Sequence, residues 1–192
     1  GDISGSVYVY EYDGTNWMET AKLTAGDAAA FDAFGASVSL SGDRALVGAR
    51  FDDDDGNGSG SAYVYEYDGT NWVETAKLTA ADAALGDRFG TSVSLSGDRA
   101  LIGADSDDDG GGNSGAVYVY AYDGTNWVET AKLMAGDAAE GDAFGASVSL
   151  SGVRALIGAM GDDAGSGSAY LFEYDGTNWV EVSRLTAGDA AA

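Results

Sequence analysis

The chain is broken into short apolar runs separated by small and polar residues, and the same four kinds of run recur in a fixed order. They are called A to D here: 92–95 (A) and 100–103 (B) in one copy, 62–67 (C) and 73–78 (D) in the copy before it. Each has the length of a strand, is rich in β-branched or aromatic residues, and is bounded by Gly, Asp, Asn or Ser. The Ala-rich stretches 28–30 and 83–84 are too short for a helix, and no segment carries a helical period. The pattern predicts an all-β fold. Turn chemistry supplies the connections: Ser-Gly-Asp at 41–43 and 96–98 predicts a tight hairpin from A to B, and Asp-Gly-Thr-Asn a four-residue hairpin from C to D, with Gly supplying φ > 0. The B-to-C connection is long and acidic, 51–61 and 106–116.

These runs belong to a repeat. Tyr-Asp-Gly-Thr-Asn-Trp occurs at 12–17, 67–72, 122–127 and 174–179, so successive Trp residues are 55, 55 and 52 apart. Phe-Gly-(Ala/Thr)-Ser-Val-Ser-Leu-Ser-Gly begins at Phe34, Phe89 and Phe144 with the same period. Periods of this size point to solenoids, propellers or arrays, and four antiparallel strands joined by short hairpins make a propeller blade. Residue size supports that architecture. Runs A and B mix Gly, Ala and Ser with aliphatics, as a crowded axis requires, whereas C and D carry Tyr, Phe and Trp, as in Tyr63-Val64-Tyr65-Glu66-Tyr67, with large residues on both faces. The expected organisation is a C–D half-blade at 1–25 and blades at 34–80, 89–135 and 144–187, about three and a half blades in one repeat domain. Its open ends expose strand edges and aromatic faces, so self-association, or neighbouring repeats, is expected to complete the toroid.

Composition removes most other readings. Nine Lys and Arg against 32 Asp and Glu give a net charge of −23, which makes nucleic acid and anionic lipid poor partners, because both are held by Lys and Arg. The absence of Cys and His leaves no disulfide, thiolate, imidazole base or ordinary zinc, haem or iron–sulfur site. A hydrophobic content of 45% with 11% aromatic residues is too high for a disordered chain. No apolar run is long enough for a membrane helix, so membrane insertion is not expected. The opening Gly1-Asp2-Ile3 has neither an initiator Met nor a signal peptide and reads as a mature or excised piece.

Three segments together, Phe89-Gly90-Thr91-Ser92-Val93, Ala100-Leu101-Ile102-Gly103-Ala104 and Gly60-Ser61-Ala62-Tyr63-Val64-Tyr65, resemble the FG-GAP repeat of integrin α-subunit β-propellers and, more closely, its bacterial extracellular relatives. The resemblance covers nearly the whole chain. It implies a propeller at the cell surface or outside the cell, concerned with adhesion and recognition of a protein or glycan ligand, often with calcium in blade loops. Two departures stand out. The Pro expected after Gly-Ala is Arg50, Asp105 or Met160, and the calcium loop between A and B is replaced by the short Ser-Gly-Asp turn.

Candidate sites follow from the loops and the repeated side chains. Asp105-Ser106-Asp107-Asp108-Asp109-Gly110 has the Asp-x-Asp-x-Asp-Gly opening of a calcium loop, in which alternate carboxylates face one ion. Asp105, Asp107 and Asp109 are the candidate ligands, although the twelfth position is Ala116 rather than Glu. In the preceding copy Asp53, Asp55 and Gly56 are taken as the aligned positions, with Phe51 at the first; the last loop keeps Asp162 and Asp163. The alternative is an acidic loop that only maintains solubility. Trp17, Trp72, Trp127 and Trp179 are candidate sugar platforms, with packing between blades the favoured reading. Arg44, Arg99 and Arg154 are expected to pair with acids ahead of the Phe-Gly, such as Asp87 or Asp142, and Lys22, Lys77 and Lys132 to protect exposed strand edges. The acids repeat as architecture does, so no enzyme is expected. The sequence leaves three readings: a recognition or adhesion module, a structural building block of a surface assembly or filament, and a glycan-binding lectin.

Overall fold

A computed structural model describes residues 4–188, which leaves the first three residues of the expected half-blade outside it. The strands run β1 (Val7–Tyr12), β2 (Trp17–Leu23), β3 (Phe34–Ser41), β4 (Arg44–Ala49), β5 (Ser61–Tyr67), β6 (Trp72–Leu78), β7 (Ser92–Ser96), β8 (Arg99–Ala104), β9 (Ala116–Tyr122) and β10 (Trp127–Leu133). They continue with β11 (Phe144–Ser151), β12 (Arg154–Ala159), β13 (Ser168–Tyr174) and β14 (Trp179–Thr186). One irregular helical turn, α1 (Asp162–Gly165), lies in the shortened last loop, with Asp163 and Ala164 at positive φ. Strands β3 to β6, β7 to β10 and β11 to β14 form three four-stranded antiparallel sheets in sequential order, and β1 pairs with β2 alone. The architecture is all-β, a partial propeller of three blades and a half-blade.

Local chemistry accounts for each hairpin. In the A–B turn Ser41 pairs with Arg44, so Gly42 and Asp43 form the loop, and Gly42 has φ +58°. In the C–D turn Asp68 Oδ1 accepts hydrogen bonds from the backbone N–H of Thr70 and Asn71, both at 2.8 Å. Those two bonds hold the Asp68 carboxyl below the ordinary carboxylate range. Asp13, Asp123 and Asp175 repeat the arrangement.

The seams between blades explain the A strand. Its Ser residues face the following blade: Ser37 Oγ donates to Gly90 O at 2.8 Å, and Ser39 Oγ accepts from Leu95 N–H at 2.9 Å. One period on, Ser92 Oγ donates to Gly145 O and Ser94 Oγ accepts from Leu150 N–H. The Val and Leu between them face the preceding blade, where Val93 and Leu95 are buried. Gly103 makes the close approach feasible, because a Cβ there would lie 2.1 Å from Gly145 O. Each Phe of the Phe-Gly lies edge-on to two strand-C rings of its own blade, Phe89 to Tyr118 at 5.4 Å and to Tyr120 at 6.1 Å. Such pairs contribute about 0.5–1.5 kcal/mol beyond area burial. Three buried clusters result, one per seam.

Candidate functional site

At each seam the loop leaving strand D docks on the next blade. Between the half-blade and the first full blade, Tyr65 Oη donates to Thr24 O at 2.8 Å and Gly26 N–H donates to Glu74 Oε2 at 2.9 Å. The following residue, Asp27, is thereby aimed at β5 and β6. On the other side the β4–β5 loop turns back so that Asp52 is buried, where Ser61 Oγ donates to its Oδ1 at 2.9 Å.

Lys77 of β6 stands between these acids. Its Nζ lies 2.6 Å from Asp27 Oδ2 and 3.1 Å from Asp52 Oδ2, and it also donates to Asp54. Tyr63 Oη lies 2.8 Å from Asp27 Oδ1 and 2.9 Å from Asp52 Oδ2, so one phenolic proton serves two carboxylates. The next seam repeats the arrangement 55 residues on: Lys132 Nζ lies 2.8 Å from Asp82, 2.8 Å from Asp107 and 2.6 Å from Asp109, and Tyr118 bonds Asp82 and Asp107. In the third seam Arg184 takes the lysine's place, 2.9 Å from Asp137 and 2.7 Å from Asp162, and it also pairs with Asp163.

Electrostatics within the seams follow from burial and pairing. Burial works against the charge on Lys77 and Lys132, but the hydrogen bonds they donate to the carboxylates outweigh it and hold both above the ordinary lysine range. Burial alone would raise Asp27 and Asp82; the lysine, then the tyrosine, brings both below the ordinary carboxylate range. Burial, followed by the adjacent carboxylates, pushes the Tyr118 and Tyr170 phenols upwards.

Several sequence expectations change here. The structure brings Asp107 and Asp109 together around Lys132, while Asp105 stands apart from them, half-buried, with its Oδ1 accepting from Ser106 Oγ at 3.3 Å. In the earlier loop the acids at the lysine are Asp52 and Asp54, not Asp53 and Asp55. Asp53 Oδ1 instead accepts from Gly58 N–H at 2.7 Å, and Asp55 is exposed. The alignment 53/107 is thus one residue out of register: Gly56 at φ +135° corresponds to Gly111 at φ +133°, not to Gly110. Lys77 and Lys132 do not guard an open edge, since their side chains are only 20% and 18% exposed. Nor do the strand-B arginines pair with the acids ahead of the Phe-Gly. Asp87 and Asp142 accept from the backbone N–H of Ala84 and Ala139, closing their own turn. Arg44 binds Glu66 and, across the seam, Asp98, both at 2.6 Å.

The tryptophans divide by their surroundings. Trp72, Trp127 and Trp179 pack against the three seam clusters, and Trp17 at the open end is exposed. The Arg44 guanidinium lies 4.4 Å over the Tyr122 ring and 5.7 Å from that of Trp127, and Arg99 lies 4.7 Å over Tyr174. The strand-D lysines, the Asp four residues after the strand-D Leu at 27, 82 and 137, and the strand-A serines were all visible as repeats. Their shared role was not, because partners such as Asp27 and Lys77 are 50 residues apart and meet only when blades stack.

The sequence model of the FG-GAP repeat matches residues 17–65, 72–120 and 127–172. Each matched unit starts on strand D of one blade and ends on strand C of the next, so every repeat spans a seam. No curated protein matches the chain.

Proposed function

From the premise that the chain belongs to the FG-GAP repeat family, we propose that it is an extracellular or cell-surface recognition module of the propeller type whose first ligand is a blade face of its own kind. The family is generally non-enzymatic, and no group here is assigned to catalysis. No helix among the described residues is long and apolar enough to cross a membrane.

One observation carries the reading: the two end faces expose the repeat equivalents of buried core residues. Leu156 is 42% exposed whereas Leu46 and Leu101 are fully buried, and Leu185 is 50% exposed against 4% for Leu78. At the other end Tyr8 and Tyr10 stand exposed where Tyr63 and Tyr65 are buried. Leu23, the strand-D equivalent of Leu185, is buried with Tyr63 and Tyr65, so a second copy's β1–β2 half-blade, presenting Tyr8 and Tyr10, would cover the strand-D part of the trailing face of the last blade. Such a contact is head-to-tail and gives rings or filaments according to whether it closes. That makes the module also a building block, which favours an assembly role over a lectin role. The aromatic faces that a sugar would need at Tyr122, Trp127 and Tyr174 are covered by Arg44 and Arg99.

Light scattering across a range of concentrations tests the reading. Species heavier than 19.5 kDa are expected, with dissociation on Leu156→Lys combined with Leu185→Lys. A wild-type chain of that mass at every concentration would sink it. A calcium role for Asp105, Asp107, Asp109, Asp53 and Asp55 would need the metal to gather carboxylates that here either surround Lys132 or lie apart, and it is not part of this proposal.

A further inference from the structure

The acids of the seams have the chemistry of a calcium site. Asp27, Asp52 and Asp54 each offer a carboxylate oxygen within 4.8 Å of the others, with Tyr63 Oη beside two of them. Hard oxygen donors of this kind suit calcium, which takes six to eight at about 2.3–2.6 Å. The space does not suit it, because the position within reach of all three carboxylates is filled by Lys77 Nζ, and the same holds at Lys132. We infer that each seam carries a resident side-chain cation where a metal ion would otherwise sit, so that Lys77, Lys132 and Arg184 clamp successive blades without calcium.

Three features support the inference independently. The arrangement occurs at all three seams with the same donors: one acid from the preceding blade, two from the B–C loop, and a strand-C tyrosine. The third copy keeps the cation while changing its chemistry, as Arg184 replaces lysine and α1 replaces the longer loop. A site conserved in charge through a change of side chain and loop length answers to electrostatics rather than to one packing solution. Finally, the cation sits on strand D of one blade and binds an acid of the blade before, so it ties the seam as a metal would. Three carboxylates against one ammonium still leave an excess of negative charge, so removing the ammonium should open the site to a divalent ion.

The test uses the full chain with Lys132→Ala, Lys132→Arg and Lys77→Ala. Thermal midpoints are measured in chelator and in millimolar calcium, together with terbium luminescence excited through tyrosine, which reports an ion next to Tyr118 or Tyr63. Wild type and Lys132→Arg are expected to show the same midpoint with calcium and with chelator, and no saturable luminescence. Lys132→Ala should melt lower in chelator, recover part of the loss in calcium, and gain saturable luminescence. Should it fail to fold in chelator, Lys77→Ala at the outermost seam gives the same readout. A wild-type midpoint raised by calcium, or saturable terbium binding to wild type, would overturn the inference; so would Ala variants that melt like wild type or gain no ion. None of these outcomes depends on the mass of the particle, so this inference and the docking proposal fail separately.

Discussion

The seam between the second and third blades and the trailing face of the third blade are built from the same residues, yet they are different surfaces. Leu101 is fully buried and Leu156, its repeat equivalent, is 42% exposed. Ser94 accepts a hydrogen bond from Leu150 across the seam, whereas Ser149, one period later, is exposed and faces no following blade. Arg99 lies over Tyr174 of the next blade, while Arg154, among the described residues, bonds only Glu173 of its own, at 2.7 Å. In a repeat protein, burial thus belongs to the neighbour and not to the residue, and stability is close to a sum of units and interfaces.

The largest effect that tests this difference is a paired truncation. Leu101→Ala should destabilise by about 2–5 kcal/mol, the range for a buried leucine that leaves a cavity. Leu156→Ala should cost about 1 kcal/mol or less in a dilute chain, because its site is still half wet. Chemical denaturation of both variants checks the contrast. Equal losses would mean that the trailing face is covered in solution, and the loss at Leu156 should then grow with protein concentration.

A smaller effect separates the serines. Ser94→Ala leaves the Leu150 N–H without its acceptor and should cost about 1–3 kcal/mol, while Ser149→Ala should be neutral within about 0.5 kcal/mol. Hydrogen exchange at Leu150 gives a second readout, since that amide should lose protection only in the first variant. Protection that survives Ser94→Ala would show that the backbone finds another partner and that the seam does not rely on its serine row.

How far the fold was legible follows from what is local. The four runs and both hairpins are fixed within a dozen residues, and each was readable because Gly, Asp and Asn mark turns whatever lies beyond them, while the period was readable because short motifs recur unchanged. The seam was not readable in the same way. Ser-Val-Ser-Leu-Ser has the alternation of a strand with one wet face, but its polar face binds the next blade's backbone. The loop register failed for a local reason: Asp55-Gly56 and Asp109-Gly110 match as dipeptides and outweigh the better anchor. That anchor is the Gly60 and Gly115 pair, each of which packs against the next Phe-Gly. Lys77 and Lys132 read as edge guards because an isolated outer strand is an edge; the acids that claim them come from sequence 23 to 50 residues away.

Acid should weaken the seams by the smallest step per group, and it distinguishes seams from ends. The folded-state pKa values of Asp27 and Asp82 are lowered, burial notwithstanding, by the hydrogen bonds from Lys77 and Lys132 and from the tyrosines. A lowered folded-state value means that the unfolded chain binds protons first as pH falls, so this stability is present above the unfolded value near 4 and is lost as pH drops through the folded one. Both carboxylates are nearly half exposed, which keeps each contribution below about 1 kcal/mol after solvent screening. Lys22 at the open end contacts Tyr8 at 5.6 Å and has no ion pair among the described residues, so Lys22→Met should leave the acid transition where it is. Lys132→Met removes the partner that lowers Asp82, and its acid transition should move to higher pH. Acid titrations of the two variants followed by circular dichroism decide the matter: equal shifts would mean that the acid limit is set by net charge, and a shift in Lys132→Met alone places it in the seam.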